Sequence, residues 1–448
     1  MLRWFLGGRE AQSSVERSGV LSIGEEQPRN CFTELQVLKG HFDIVRFLVQ
    51  IDDFRCASAG DDGLVYVWNI ETGERLQELR GHTQQITAII TFTCEAAAHT
   101  GLITASSDRS VSLWDPDSGN RVQTVSDLQS SVKCLLGLER LCLWVSGGEE
   151  LCVWSKDFQL RCLQQTHGDS GVTALIELPK NHLAAAVDRE IVIYRLTLSD
   201  DSDVSITKIH CLSDHRDQIR ALINVNDRLF ASGSHAGELI LWDVVDWKAL
   251  KYEHILWEES QTGVQSESRL KALRPSEMSI QHLTTNGQLI LAAVGSGLYV
   301  YDLQSQSVAA YRKAAHDSNV LHTMLLSDSE LVSCSEDGSV RMWEIQDLPL
   351  PAEPASAGFF GNWTFGRSSK QSAPPSKKAT DFPNTRKLEL IGDLIGHSGA
   401  VQMFVGFGED GLVTCSADHL LILWKNGERQ SRLRSQALFQ KLEENGGL

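Results

Sequence analysis

The sequence predicts an all-β chain closed into a ring of eight four-stranded blades, and three observations carry that prediction. A four-residue polar pattern ending in Trp recurs in register along the chain. Most of its anchors stand 40 to 48 residues apart, the length of four short strands with their turns. The runs between turns, such as Leu64-Val65-Tyr66-Val67-Trp68 and Leu239-Ile240-Leu241-Trp242, are aliphatic or β-branched and lack the 3.6-residue period of a helix.

Four copies of the pattern are complete. They are His41, Ser58, Asp62 and Trp68; His82, Thr104, Asp108 and Trp114; His316, Ser333, Asp337 and Trp343; and His397, Thr414, Asp418 and Trp424. In each copy the Asp lies six residues before the Trp and the hydroxyl lies four before the Asp. The His precedes the Trp by 27 residues in the first, third and fourth copies, and by 32 in the second, which carries extra residues around Cys94–Thr100. Four weaker copies lie between them. His215, Ser232 and Trp242 keep the 27-residue interval but have Ala236 where the Asp belongs. Ser146 to Trp154, Ala186-Val187-Asp188 to Tyr194, and Ala293-Val294-Gly295 to Tyr301 keep only the strand–turn–strand outline.

The count is eight, with one strand missing at one end and one surplus at the other. The last copy ends at Trp424 with no strand after it, whereas Thr33–Leu38 precedes the first His with nothing to complete. Pairing these two ends closes the ring and removes exposed sheet edges, which template aggregation. These motifs resemble those of the WD-repeat β-propeller family across nearly the whole chain. The resemblance implies that His, Ser/Thr, Asp and Trp bond to one another within each blade, and that an N-terminal strand completes the last blade. The expected organisation is a flexible segment 1–30, an eight-bladed propeller over 31–428 with a disordered insert 346–387 in blade 7, and a C-terminal amphipathic helix over 429–448.

Composition narrows the function. With 41 Lys+Arg against 58 Asp+Glu, the formal charge of −17 repels polyanions and argues against nucleic acid as a partner. Ten cysteines without a C-x-x-C pair or zinc-ligand spacing read as reduced core residues of a cytosolic chain. The apolar patch Trp4-Phe5-Leu6 is too short for a signal peptide, and no run of about 18 apolar residues suggests a membrane span. Ser, His and Asp together invite a hydrolase reading, but a triad is needed once, whereas these sets recur with the blade. No Gly-x-Ser-x-Gly, His-Glu-x-x-His or phosphate-cradling Gly-Lys-Ser/Thr loop occurs. The expectation is therefore no catalytic residues, no cofactor and no metal.

Function in a repeat scaffold concentrates where the repeat is broken. Trp343 and Trp424 stand 81 residues apart, so roughly Gln346 to Lys387 is extra. This stretch is Pro-rich and basic, and its middle holds Phe359, Phe360, Trp363 and Phe365, followed by Arg367. Aromatics on a tether are the usual anchors of an interaction hot spot. A second excursion is expected over about Asp246 to Glu277, with Trp247 and Trp257. In the tail, Leu438, Phe439 and Leu442 lie among Arg, Gln, Lys and Glu, with Leu438 and Leu442 at i and i+4.

The insert and tail also resemble one branch of the WD-repeat family. That narrower resemblance rests on Gly358-Phe359-Phe360 with Trp363, on Gly233-Ser234-His235-Ala236-Gly237-Glu238, and on the ending Leu438-Phe439-Gln440-Lys441-Leu442-Glu443-Glu444. It implies the propeller subunit of a cytosolic complex whose two other members carry longin and DENN modules. Such a complex acts on small GTPases, regulates autophagy and sits at lysosomes when amino acids are scarce. It further implies that the Phe359–Phe365 loop docks on a lysosomal transporter for cationic amino acids. The competing reading, a substrate receptor of a cullin-type ubiquitin ligase, expects Trp-Asp-x-Arg at the end of a blade. Here the Trp-Asp pairs continue as Pro116-Asp117 and Val244-Val245.

Overall fold

The computed structural model describes residues 32–93, 100–166, 171–198, 204–255, 278–347, 386–408 and 411–444, with side chains through 441. Its thirty-two strands, numbered β1 to β32 in chain order, form eight consecutive groups of four. Blades 1 to 7 span residues 45–79, 86–125, 134–165, 172–212, 219–254, 280–312 and 320–395, and 401–426 forms most of blade 8. The first strand of each blade packs on the first strand of the next, and that of blade 8 returns to that of blade 1. The ring is therefore closed, as the strand count in the sequence predicts.

Burial follows position in the blade. The second strands β3 (Arg55–Gly60), β19 (Leu229–Ser234) and β27 (Glu330–Ser335) are buried apart from their first residue, because they are covered on both faces by neighbouring blades. The outermost strand of blade 3, β13 (Leu160–Gln165), has no residue fully buried. Between the second and third strands the chain turns through a left-handed residue directly after the acid position. Gly63, Gly237 and Gly338 take φ of 73°, 78° and 86° there, and Arg109 and His419 take 62° and 67°. At Gly63 a side chain would also collide with the backbone, its Cβ lying 2.9 Å from the Gln84 carbonyl oxygen.

β1 (Phe32–Leu38) closes the ring by pairing antiparallel with β32 (Leu421–Asn426), with Leu35 opposite Trp424 and Leu38 opposite Leu421. Polar ties then fasten this seam to blade 1. Gln36 Nε2 donates to the Thr72 carbonyl at 3.0 Å, and Lys425 Nζ donates to that of Glu71 at 2.6 Å. The Gln tie repeats around part of the ring: Gln77 donates to the Asp117 carbonyl at 2.7 Å and Gln123 to that of Asp157 at 2.8 Å.

The structure differs from the sequence reading in four places. The ends of the expected 346–387 insert are strand, because β28 (Ser339–Gln346) and β29 (Arg386–Ile395) pair as far as Gln346 opposite Lys387. β29 also runs parallel to β25 (Ser307–Arg312) at Ala310 and Tyr311, which joins blades 6 and 7 into one eight-stranded sheet. Trp247 does not belong to an excursion. It sits in the turn between β20 (Glu238–Asp243) and β21 (Ala249–His254), its N–H donates to the Asp243 carbonyl at 3.0 Å, and its ring packs 5.3 Å from His182. Only 256–277 of that stretch lies outside the described residues. Cys142 is disulfide-bonded, against the expectation of ten reduced thiols, whereas seven other described cysteines form no disulfide. The pairing escapes a reading of spacings because a disulfide is set by proximity in the fold. Finally, the helix α1 (Gly427–Glu444) starts within one residue of the last strand, two residues before the expected 429.

Candidate protein-interaction site

The polar residues singled out by the sequence come together blade by blade. In blade 1, Trp68 Nε1 donates to Ser58 Oγ at 2.8 Å, His41 Nε2 lies 2.8 Å from the same oxygen, and His41 Nδ1 lies 2.8 Å from Asp62 Oδ2. Blade 2 repeats this with Trp114, Thr104, His82 and Asp108 at 2.8, 2.8 and 3.2 Å. Blade 7 uses Trp343, Ser333, His316 and Asp337 at 2.9, 2.7 and 3.1 Å. In blade 8, Trp424, Thr414, His397 and Asp418 stand 3.0, 2.7 and 3.0 Å apart. The Asp also binds the loop it faces: its carboxylate accepts the N–H of Phe42, Thr83, Asp317 or Ser398.

This wiring is that of a hydrolase triad, with hydroxyl, imidazole and carboxylate in series, yet it is closed to substrate. An ionised carboxylate only accepts, so the imidazole proton sits on Nδ1; in the neutral imidazole Nε2 then accepts from the hydroxyl, whose oxygen in turn accepts the indole N–H. Ser58, Thr104, Ser333 and Thr414 are all fully buried, which leaves no path for a carbonyl to reach them. A chain of satisfied buried hydrogen bonds of this kind ties the second and third strands of a blade to the loop that enters it. Its charge is set accordingly. Burial pushes the Asp337 carboxyl up, but hydrogen bonds from His316, Ser339 and the Asp317 amide outweigh it and hold the group well below the carboxylate range. Asp62, Asp108 and Asp418 are held down in the same way, against their burial. Burial lowers His82 and His397 despite their acids, so the neutral imidazole is favoured.

Blade 5 holds a set that the sequence reading missed in part. Trp242 Nε1 donates to Ser232 Oγ at 2.8 Å and His215 Nε2 lies 2.6 Å from it, but the acid is Glu238, with Oε2 at 3.2 Å from His215 Nδ1. Glu238 is 0% exposed and also accepts from Arg216 N, Ser234 Oγ and Tyr252 OH. In blade 3, Trp154 Nε1 donates to Ser146 Oγ at 2.9 Å without a His. Among the described residues no group of three or more His, Cys, Asp and Glu is placed to hold a metal ion.

The partner-binding candidates are placed differently. Phe359, Phe360, Trp363, Phe365 and Arg367 lie outside the described residues. Leu438 and Phe439 lie on α1 and are 60% and 62% exposed. Leu442 falls on the same helix, its side chain outside the described residues. The helix is held at its base: Asn426 Oδ1 accepts the Arg429 N–H at 3.1 Å as an N-cap, and Arg434 binds Glu34 of the closing strand at 2.9 Å. Beyond Arg434, Leu438 and Phe439 leave more than half of their surface uncovered. No described helix is long and apolar enough to cross a membrane.

Comparisons with known proteins agree with this architecture. The family model of the WDR41 β-propeller matches residues 1–434. The chain is 54% identical to WD repeat-containing protein 41 of Homo sapiens over 457 aligned residues, covering 100% of this chain and 99% of the relative. It is 52% identical to WD repeat-containing protein 41 of Mus musculus over the same span. Among solved structures, the computationally designed Ika8 protein superposes with a TM-score of 0.62 at 18% identity, covering 87% of this chain and 98% of the other. Sqt1 from Chaetomium thermophilum gives 0.61 at 16% identity, covering 88% and 100%.

Proposed function

The chain belongs to the WDR41 β-propeller family, and on that premise we propose that it is the non-enzymatic scaffold of a cytosolic complex with two proteins bearing longin and DENN modules. That complex regulates small GTPases and autophagy and is recruited to the lysosomal surface. The propeller supplies attachment, and the GTPase chemistry belongs to the partners. The observation that carries this reading is the pair Leu438 and Phe439, more than half exposed on a helix that is capped by Asn426 and tied to the closing strand through Arg434. An apolar pair on a rigid helix matches the helix-in-groove mode of recognition. The sealed polar sets, by contrast, offer no group to a substrate.

In this reading two regions divide the work. The propeller and α1 hold the DENN-module proteins, and the aromatic segment Phe359–Phe365 with Arg367 anchors the complex to a lysosomal transporter for cationic amino acids. Affinity purification of the full chain from cytosolic extract, read by quantitative mass spectrometry, tests it. Two DENN-module proteins in near-stoichiometric amounts are the expected result. Recovery of a cullin and its adaptor without any DENN-module protein overturns the reading in favour of a ubiquitin-ligase receptor.

A further inference from the structure

We propose that the seam between blades 2 and 3, beside the turns that follow Trp114 and Trp154, is a binding groove for a partner segment carrying an arginine beside an apolar side chain. The case begins one seam earlier. There Arg55, which opens the second strand of blade 1, reaches across to blade 2 and binds Asp117 Oδ1 at 2.5 Å. Asp117 stands three residues after Trp114, in the turn between the third and fourth strands of its blade. The guanidinium and that carboxylate together close the seam.

The next seam has the same acceptor and lacks the donor. Asp157 stands three residues after Trp154, as Asp117 stands after Trp114. Its backbone carbonyl takes a Gln Nε2 hydrogen bond from the preceding blade, as the Asp117 carbonyl does. The position matching Arg55 is set by register: Cys56 pairs with Trp68 in blade 1 and Leu102 pairs with Trp114 in blade 2. The residue before Leu102 is Gly101, which carries no side chain. The Asp157 carboxylate accordingly has no hydrogen bond or ion pair among the described residues.

The space left open is a groove of about 440 Å³, lined at its base by Phe92, Leu113 and Trp114 and bordered by Asp115, Asp117 and Asp157, with Lys156 the one cation among the described lining residues. Val122 is 61% exposed at its lip. A carboxylate rim over an apolar floor complements a guanidinium and an adjoining aliphatic or aromatic side chain, and a planar guanidinium suits a carboxylate better than an ammonium does. The ligand's arginine would supply to Asp157 what Arg55 supplies to Asp117.

The test uses the full chain and a fluorescein-labelled peptide, Gly-Leu-Trp-Arg-Gly-Ser, with its Arg→Gln counterpart, read by fluorescence polarisation. The expected result is saturable binding of the Arg peptide, weakened at least tenfold by Arg→Gln and equally by Asp157→Asn. Gly101→Arg should weaken it to the same degree by filling the groove from within, at unchanged melting temperature. The backbone there is not left-handed, and a new Cβ would displace only the end of a flexible side chain, Leu113 Cδ1 at 2.8 Å. Equal binding of the Arg and Gln peptides, no saturable binding at millimolar concentration, or full binding by a folded Gly101→Arg protein would each overturn the proposal.

Discussion

Glu238 Oε2 lies 3.2 Å from His215 Nδ1, although Glu238 stands four residues before its Trp and the acid of every complete set stands six before. In blades 2 and 7 the position four before Trp belongs to Ser110 and Ser339, whose hydroxyls touch both the His Nδ1 and the Asp. The longer Glu arm at that place reaches the imidazole itself and serves in place of both. Glu238→Ala leaves His215, Arg216 N, Ser234 and Tyr252 without their acceptor and should cost about 3 kcal/mol in urea unfolding. Combining Ala236→Asp with Glu238→Ser rebuilds the ordinary arrangement and should recover most of that loss. A double variant as unstable as Glu238→Ala contradicts the equivalence.

Acid should destabilise the ring in two stages. His82, His215 and His397 are lowered by burial from an ordinary value of 6.5, so the unfolded chain takes up protons at these groups first as the pH falls below that value. The carboxyls of Asp62, Asp108, Asp337, Asp418 and Glu238 are also depressed. Their contribution is therefore fully present above the unfolded value near 4 and is lost as the pH falls through the folded values. Glu177, raised by burial, has the opposite sign and offsets only one of these groups. The melting temperature should be level from about pH 8 to 7, decline below about 6.5 and fall steeply below about 4. A melting temperature that rises on acidification to pH 5 contradicts the assignment.

The closing strand gives a third expectation. Removing residues 32–38 takes away every partner of β32 on its outer side, along with the Gln36 tie to Thr72. The exposed edge should template association, seen as aggregation by light scattering at room temperature. A soluble monomer would show that the ring closes without this strand.

How much of this was legible in the sequence depended on whether a feature repeats. The four complete sets and the closing strand follow from fixed intervals, because a buried network tolerates few spacings. Glu238 was missed because the acid had moved two positions, a shift visible only once its side chain is seen reaching His215. Trp247 was misplaced because it holds a turn with φ of 55° and the strand after it, β21, has no fully buried residue and so carries no apolar core run. The relation between Arg55 and Gly101 has no signal within either blade. It needs the strand register of both blades and the contact across the seam.

Replacing Phe359, Phe360 and Trp363 together with Ala should leave the melting temperature unchanged and abolish recruitment to lysosomes during amino-acid starvation. Each buried aromatic anchor of an interface is typically worth about 2 kcal/mol, so the loss should far exceed tenfold. Association with the DENN-module proteins should survive. A drop in thermal stability would instead make these aromatics part of the core, and a stable variant that still reaches lysosomes would move the anchor elsewhere.

The scaffold reading stands most directly on the exposed pair of α1. Leu438→Ala with Phe439→Ala changes side chains that are 60% and 62% exposed in this chain alone, so the fold should not register the change. The measurement is co-purification of the DENN-module proteins with the double variant against the wild-type chain, alongside the melting temperature of each. The account predicts equal melting temperatures and partner affinity weakened nearly a thousandfold, as two anchors of about 2 kcal/mol each imply, so that recovery of the partners is lost. Undiminished recovery of both partners by the folded double variant would contradict it.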